Sequence, residues 1–120
     1  ISYIHSEAYA AGELKHGTIS LIEEGTLVVA LATQPALFEK TVSNIREVVS
    51  RGAVVVLVTT DDFTGDESVC QHIIRLPKCI YDFSASLSII PMQLLAYYIA
   101  VERNCDVDKP RNLAKSVTVE

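Results

Sequence analysis

Two runs of consecutive apolar residues stand in the first half of the chain, with an amphipathic stretch between them. Residues 26–32 (TLVVALA) and 53–58 (AVVVLV) lack the polar alternation of a half-exposed strand. They therefore predict strands covered on both faces. Between them Phe38, Val42, Ile45 and Val49 recur at steps of four, three and four, while Glu39, Lys40, Arg46 and Glu47 fall off that stripe. The spacing predicts a helix over 35–51, opened by Pro35 and closed by Gly52. Strand, helix and strand in about thirty-five residues make a βαβ unit, whose two strands are parallel and joined by a crossover.

Residues 59–68 are polar and read as a surface loop, and 72–76 (HIIRL) as a shorter third strand closed by Pro77. From Phe83 to Val101 no residue is charged, and Leu87, Ile90, Leu94, Tyr98 and Val101 sit at helical spacing. This predicts a helix within 85–102, with Pro91 either starting its regular part or kinking it. A stretch of that length is enough to cross a bilayer. Ser84, Ser86, Ser88, Pro91 and Gln93 crowd its first half, however, and no Lys/Arg cluster flanks it. A deeply buried helix, covered round most of its circumference, is the expectation. Three parallel strands are too few to cover both faces, so half of a larger unit, or part of an oligomer, is implied.

At 120 residues, 49% hydrophobic, the chain is one domain in size and has enough apolar surface to offset chain entropy. Its net charge of −5 argues against nucleic-acid binding, which needs a basic patch. Cys70, Cys79 and Cys105 are odd in number and form no C-x-x-C pair. They suit a reducing cytoplasm and read as small buried or half-buried hydrophobes. No signal peptide pattern opens the chain, no metal-ligand spacing is convincing, and no glycine-rich phosphate loop occurs, so no metal or cofactor is expected.

What chemistry there is lies near the ends. Residues 7–17 (EAYAAGELKHG) gather Glu7, Glu13, Lys15 and His16, and 106–120 (DVDKPRNLAKSVTVE) form a proline-interrupted tail with Asp106, Asp108, Lys109, Arg111 and Lys115. Apolar Leu113, Ala114, Val117 and Val119 suggest that the tail is docked. On residue type alone His16 is a surface or helix-end histidine and Lys115 a solvated lysine. Asp61 and Asp62, at the carboxyl end of the second strand, read as solvated loop residues although α/β sheets bind ligands at that end. Composition and spacing stop at a soluble parallel α/β domain.

Resemblance reaches further. GELKHG at 12–17 and DVDKPRNLAKSVTVE at 106–120, with ISYIHSEAY at 1–9 and PMQLLAYYIA at 91–100, resemble the C-terminal end of the glutamine–fructose-6-phosphate amidotransferases, the glucosamine-6-phosphate synthases. Their synthase part is built from two sugar-isomerase (SIS) folds. The resemblance implies a parallel-sheet αβα sandwich of SIS, flavodoxin-like type. It divides the chain into a helical and loop segment at 1–25, the second SIS core at 26–104 and an active-site tail at 105–120. The implied reaction converts fructose 6-phosphate and glutamine into glucosamine 6-phosphate and glutamate, the first step toward UDP-N-acetylglucosamine.

In that reading Lys115 forms a Schiff base with the open-chain ketone, and Ala114 and Lys115 contact the substrate. His16 serves ring opening, in the neighbouring subunit's site. An amine nucleophile must lose its proton, which a dry pocket favours, and imidazole moves protons near neutral pH. A homodimer through SIS domains, a glutaminase domain in the same full-length chain, a cytoplasmic location and no membrane partner are also implied. Two departures stand out. Thr18 follows KHG where the family commonly has proline, which suggests a looser turn after His16. The family's isomerisation base, a glutamate, would stand immediately before Ile1, so Ile1 reads as an internal boundary and this piece alone as inactive. The alternative is a non-catalytic SIS module that binds a sugar phosphate as a regulatory signal. The lysine-bearing tail argues against it.

Overall fold

The computed structural model describes residues 1–112. Contacts divide the chain into two units, residues 8–88 and residues 1–7 together with those from 89 onward. The first unit holds the sheet. Strands β1 (Leu27–Ala32), β2 (Val54–Thr60) and β3 (His72–Leu76) lie in the order β1-β2-β3, and both pairings are parallel. Leu27 stands beside Val54 and Ala32 beside Thr59, while Val56 stands beside His72 and Thr60 beside Leu76. The expected βαβ crossover and third strand are therefore present. β2 runs two residues further than its apolar run predicted, because Thr59 turns a buried hydroxyl onto the Ala32 carbonyl at 2.7 Å. A satisfied hydroxyl can lie in a buried sheet as a valine does.

Helix α1 (Phe38–Val49) follows a 3-10 turn at Pro35–Leu37 and buries Phe38, Val42, Ile45 and Val48. Val48 is fully enclosed and Val49 half-buried, a shift of one position on the expected stripe. The core joins Phe38, Ile45 and Val48 to Ala32, Ala53, Val55 and Leu57, with Leu14 and Ile22 packed at its margin. Phe63 meets Phe38 edge-on, with ring centroids 4.8 Å apart. That cluster covers one face of the sheet. On the other face Leu27 and Leu31 of the edge strand are each about half exposed, so β1 is not enclosed on both sides as its sequence predicted. β1 is an edge within the described residues, and an edge strand loses cover first.

α1 ends on Gly52. The Ala53 N–H donates to Val48 O at 3.2 Å and the Gly52 N–H to Val49 O at 2.9 Å, the paired bonds of a Schellman cap. Gly52 has φ +93°, and its carbonyl accepts from Gly25 N at 2.8 Å, tying this reversal to the turn that launches β1.

Helix α2 (Ser84–Glu102) runs through Pro91, so the proline neither starts nor breaks it. Ser84, Ser88 and Ala100 are buried, with Leu87, Met92, Leu95, Ala96 and Ile99 half-buried near them on the same side. Ile89, Ile90, Leu94, Tyr97, Tyr98 and Val101 are 44–60% exposed. The stripe chosen by spacing is thus largely the exposed one, and the expectation of a helix covered round most of its circumference is corrected. The inward side is made of small and hydroxyl residues. Ser88 donates to the Ser84 carbonyl at 2.7 Å instead of marking a polar surface. By length and composition alone 81–102 would also suffice for a membrane span.

In the second unit α2 closes with the same pattern as α1. The Cys105 N–H donates to Ala100 O and the Asn104 N–H to Val101 O, both at 2.9 Å, with Asn104 at φ +56°.

Gly52→Ala should destabilise the protein by about 1–3 kcal/mol, since a side chain at this positive φ is strained. The added Cβ would also lie 2.7 Å from the Glu24 backbone. Denaturant unfolding checks this, and an unchanged midpoint would show that the reversal tolerates a side chain.

Candidate functional site

His16 ends a 3-10 turn, Leu14–His16, and its exposed imidazole stands on a backbone fixed from several sides. The His16 N–H donates to Glu13 O at 3.0 Å, and Leu14 packs against the core cluster. The Lys15 ammonium reaches Glu47 of α1 at 2.8 Å. Gly17, at φ +152°, then swings the chain into a second 3-10 turn, Thr18–Leu21. The Gly17 carbonyl accepts both the Ser20 N–H at 3.0 Å and the Ser20 hydroxyl at 2.7 Å. The turn after His16 is closed by these bonds without a proline. Among the described residues the buried Thr18 hydroxyl has no hydrogen-bond partner.

Parallel pairing brings the three carboxyl ends of the strands to one end of the sheet. There the Thr60 hydroxyl donates to Asp62 at 2.6 Å, and the Lys78 ammonium approaches the same carboxylate at 3.2 Å. These two groups, the hydroxyl first, hold Asp62 below the usual carboxylate range. Gln34, just after β1, donates to the Tyr81 hydroxyl just after β3. Asp62 is thus a partnered group, whereas Asp61 is exposed. Among the described residues no three His, Cys, Asp or Glu side chains converge as a metal site.

The three cysteines are free and half-buried. Burial, with the nearby Asp66 and Glu67 charges, pushes the Cys70 thiol up and away from reactivity. A shallow groove of about 360 Å³ between α1 and the loop after β2 is lined by Glu39, Val42, Arg46, Thr64, Gly65 and Asp66. It contains none of the residues picked from sequence.

In the second unit the chain beyond α2 forms a built turn. The Asp106 carboxylate accepts the Asp108 N–H at 3.0 Å and the Lys109 N–H at 2.8 Å. Pro110 is buried. The Arg111 N–H donates to the Tyr3 hydroxyl at 2.7 Å, and the Arg111 guanidinium lies 4.1 Å from the centroid of the Tyr3 ring. Sequence reading missed this pair, since 108 positions separate its members and neither type signals the other. Ala114 and Lys115 lie outside the described residues.

Comparison with known proteins now bears on these elements. Residues 1–103 match the model of the SIS domain. The chain belongs to the SIS domain family. All 120 residues of this SIS chain align at 60% identity with a protein of Caldanaerobacter subterraneus subsp. tengcongensis named glutamine–fructose-6-phosphate aminotransferase [isomerizing]. Proteins of the same name from Clostridium tetani and Methanosarcina acetivorans align over the same 120 residues at 59% and 52%. The chain spans about a fifth of the length of these curated relatives. Among solved structures, the C-terminal domain of glucosamine-fructose-6-phosphate aminotransferase from Francisella tularensis superposes with a TM-score of 0.78 at 37% identity. That match covers 89% of this SIS chain and 30% of the other.

Asp66 supplies a pH-dependent element beside the groove. Its carboxylate accepts the Ser68 hydroxyl at 2.6 Å and N–H at 3.0 Å, and the Arg46 guanidinium at 2.8 Å, which together lower its pKa to about 2. An unfolded chain titrates this group near pH 4, at about 3.9. Its contribution to stability is therefore complete above that pH and lost as pH falls toward 2. An NMR titration should place the Asp66 midpoint near 2, and Asp66→Asn should remove this part of the acid-unfolding curve. An ordinary midpoint would show that these bonds to Asp66 are not formed.

Proposed function

We propose that this chain is the C-terminal isomerase segment of an enzyme that makes glucosamine 6-phosphate and glutamate from fructose 6-phosphate and glutamine. The reading rests on an alignment at 60% identity that spans all 120 residues and so reaches both the stretch with His16 and the one with Lys115. Fold alone would not support it, because SIS folds serve several functions. Within this reading residues 26–104 form the second SIS core and 105–120 the active-site tail. The glutaminase and the first SIS half belong to the four-fifths of the relatives' length outside the match.

The proposed chemistry runs as follows. His16 passes a proton between the ring oxygen and the anomeric hydroxyl as fructose 6-phosphate opens. The neutral Lys115 amine then attacks C2, the carbonyl oxygen leaves as water, and a Schiff base forms. Ammonia from glutamine displaces the lysine. Isomerisation from ketose to aldose level follows, by a base outside this chain. Ala114 and Lys115 contact the sugar phosphate.

The exposed stripe of α2 supports an association role in the same enzyme. Six large apolar side chains 44–60% exposed on one helix support a reading in which another protein element covers them. We assign it to assembly of a cytoplasmic homodimer through SIS domains.

In the full-length enzyme, Lys115→Arg should abolish sugar-phosphate isomerisation and leave glutamine hydrolysis intact, because a guanidinium stays protonated and cannot attack a ketone. Borohydride with fructose 6-phosphate should trap a covalent adduct on Lys115 in the wild type alone, whereas a regulatory module would give none. His16→Ala should slow the cyclic sugar far more than an acyclic analogue. With His16 serving the neighbouring subunit, random mixing of the two variants should restore roughly a quarter of wild-type activity, from half the dimers being mixed and one site in two intact. No recovery among exchanging dimers would place both residues in the same subunit's site.

A further inference from the structure

We infer that Tyr3 and Arg111 form a positioning clasp that holds the tail so that Lys115 reaches the sugar. The inference rests on the reading of Lys115 as the Schiff-base residue and adds two residues to it.

Three successive features fix the chain between α2 and Arg111. Asn104 at φ +56° reverses it, the Asp106 carboxylate closes a turn over Asp108 and Lys109, and Pro110 is buried and has its own φ locked. The clasp follows. The Tyr3 hydroxyl accepts from the Arg111 main-chain N–H at 2.7 Å, while the guanidinium lies over the Tyr3 ring at 4.1 Å. One side chain thus grips its partner at two points, one on the backbone and one on the side chain. A cation resting on a half-buried ring is a modest contact by itself. The main-chain bond makes this one positional, since it fixes where the backbone passes. Tyr3 has φ +55°, a conformation that non-glycine residues keep only where surroundings impose it.

Lys115 follows Arg111 by four residues. Four residues span at most about 14 Å, so the clasp bounds the region the amine can search. Without it, the last anchor before Lys115 is the buried Pro110, five residues away, or, if the Asp106 turn opens as well, the end of α2 at Glu102, thirteen residues away. Effective concentration falls as about the −3/2 power of tether length, so release of the clasp should dilute the amine by about 1.4-fold with that turn intact and by about sixfold with it open.

The test uses the full-length enzyme with Tyr3→Leu, Tyr3→Phe, Arg111→Gln and, as reference, Lys115→Arg. Tyr3→Leu removes both grips and should lower kcat for isomerisation, and the rate of borohydride trapping, by between about 1.4-fold and about sixfold. KM for fructose 6-phosphate, glutamine hydrolysis and Tm should stay near wild type. Tyr3→Phe keeps the ring and loses the hydrogen bond, so its kcat should fall between the two, and it carries the test if Tyr3→Leu fails to fold. Arg111→Gln should also lower kcat rather than raise KM. A raised KM in Arg111→Gln alone would make Arg111 a substrate ligand and overturn the clasp. Wild-type kcat and trapping in the Tyr3 variants, with Lys115→Arg inactive, would also overturn it and leave the role of Lys115 standing. An active Lys115→Arg would instead remove the reading on which the clasp rests.

Discussion

The parallel pairing of β1 with β2 is the constraint on which the first unit depends. Two parallel neighbours cannot be joined by a tight turn, so the chain must travel back along the sheet before β2 can begin. α1 makes that return journey, and its buried Phe38, Val42, Ile45 and Val48 supply the apolar cover the pair needs. The same geometry puts the ends of all three strands together, which is why Gln34 meets Tyr81 across the intervening β2. The His16 turn depends on this arrangement too. Leu14 packs at the margin of the core that the crossover creates, and Lys15 pairs with the far end of α1 through Glu47.

Polar contacts refine this frame more than they stabilise it. Arg46–Asp66, Lys15–Glu47 and Arg75–Glu67 are largely exposed ion pairs, and such pairs contribute little individually. Their use is in aiming loops. Buried groups have more at stake, since an unpaired hydroxyl or amide away from water costs about 1–3 kcal/mol. Thr59 avoids that cost through the Ala32 carbonyl, and the β2 backbone gains the Gln71 side chain, which accepts from Val55 N at 2.6 Å.

Residue patterns made the sheet and α1 legible, because continuous apolar runs and a single amphipathic stripe each have few other physical readings. α2 was legible as a helix but not in its orientation. With apolar side chains spread round its circumference, periodicity had no polar side to contrast, and the serines that look like surface are buried at Ser84 and Ser88. His16 and Lys115 came from motif resemblance, not from pattern, since residue type alone favoured a solvated histidine and lysine. The Tyr3–Arg111 contact was illegible altogether. It depends on where two distant segments pass each other, and a tyrosine and an arginine are each common in many roles.

Both helices end by the same pair of backbone hydrogen bonds, yet the two reversals have different freedom to vary. At Asn104 a side chain is already present at positive φ, so aspartate or glycine would serve there at little cost. At Gly52 the backbone of Glu24 occupies the space where any Cβ would go. One position therefore admits a small alphabet of residues and the other a single letter. The asymmetry arises from what lies beside each turn, not from the turn itself.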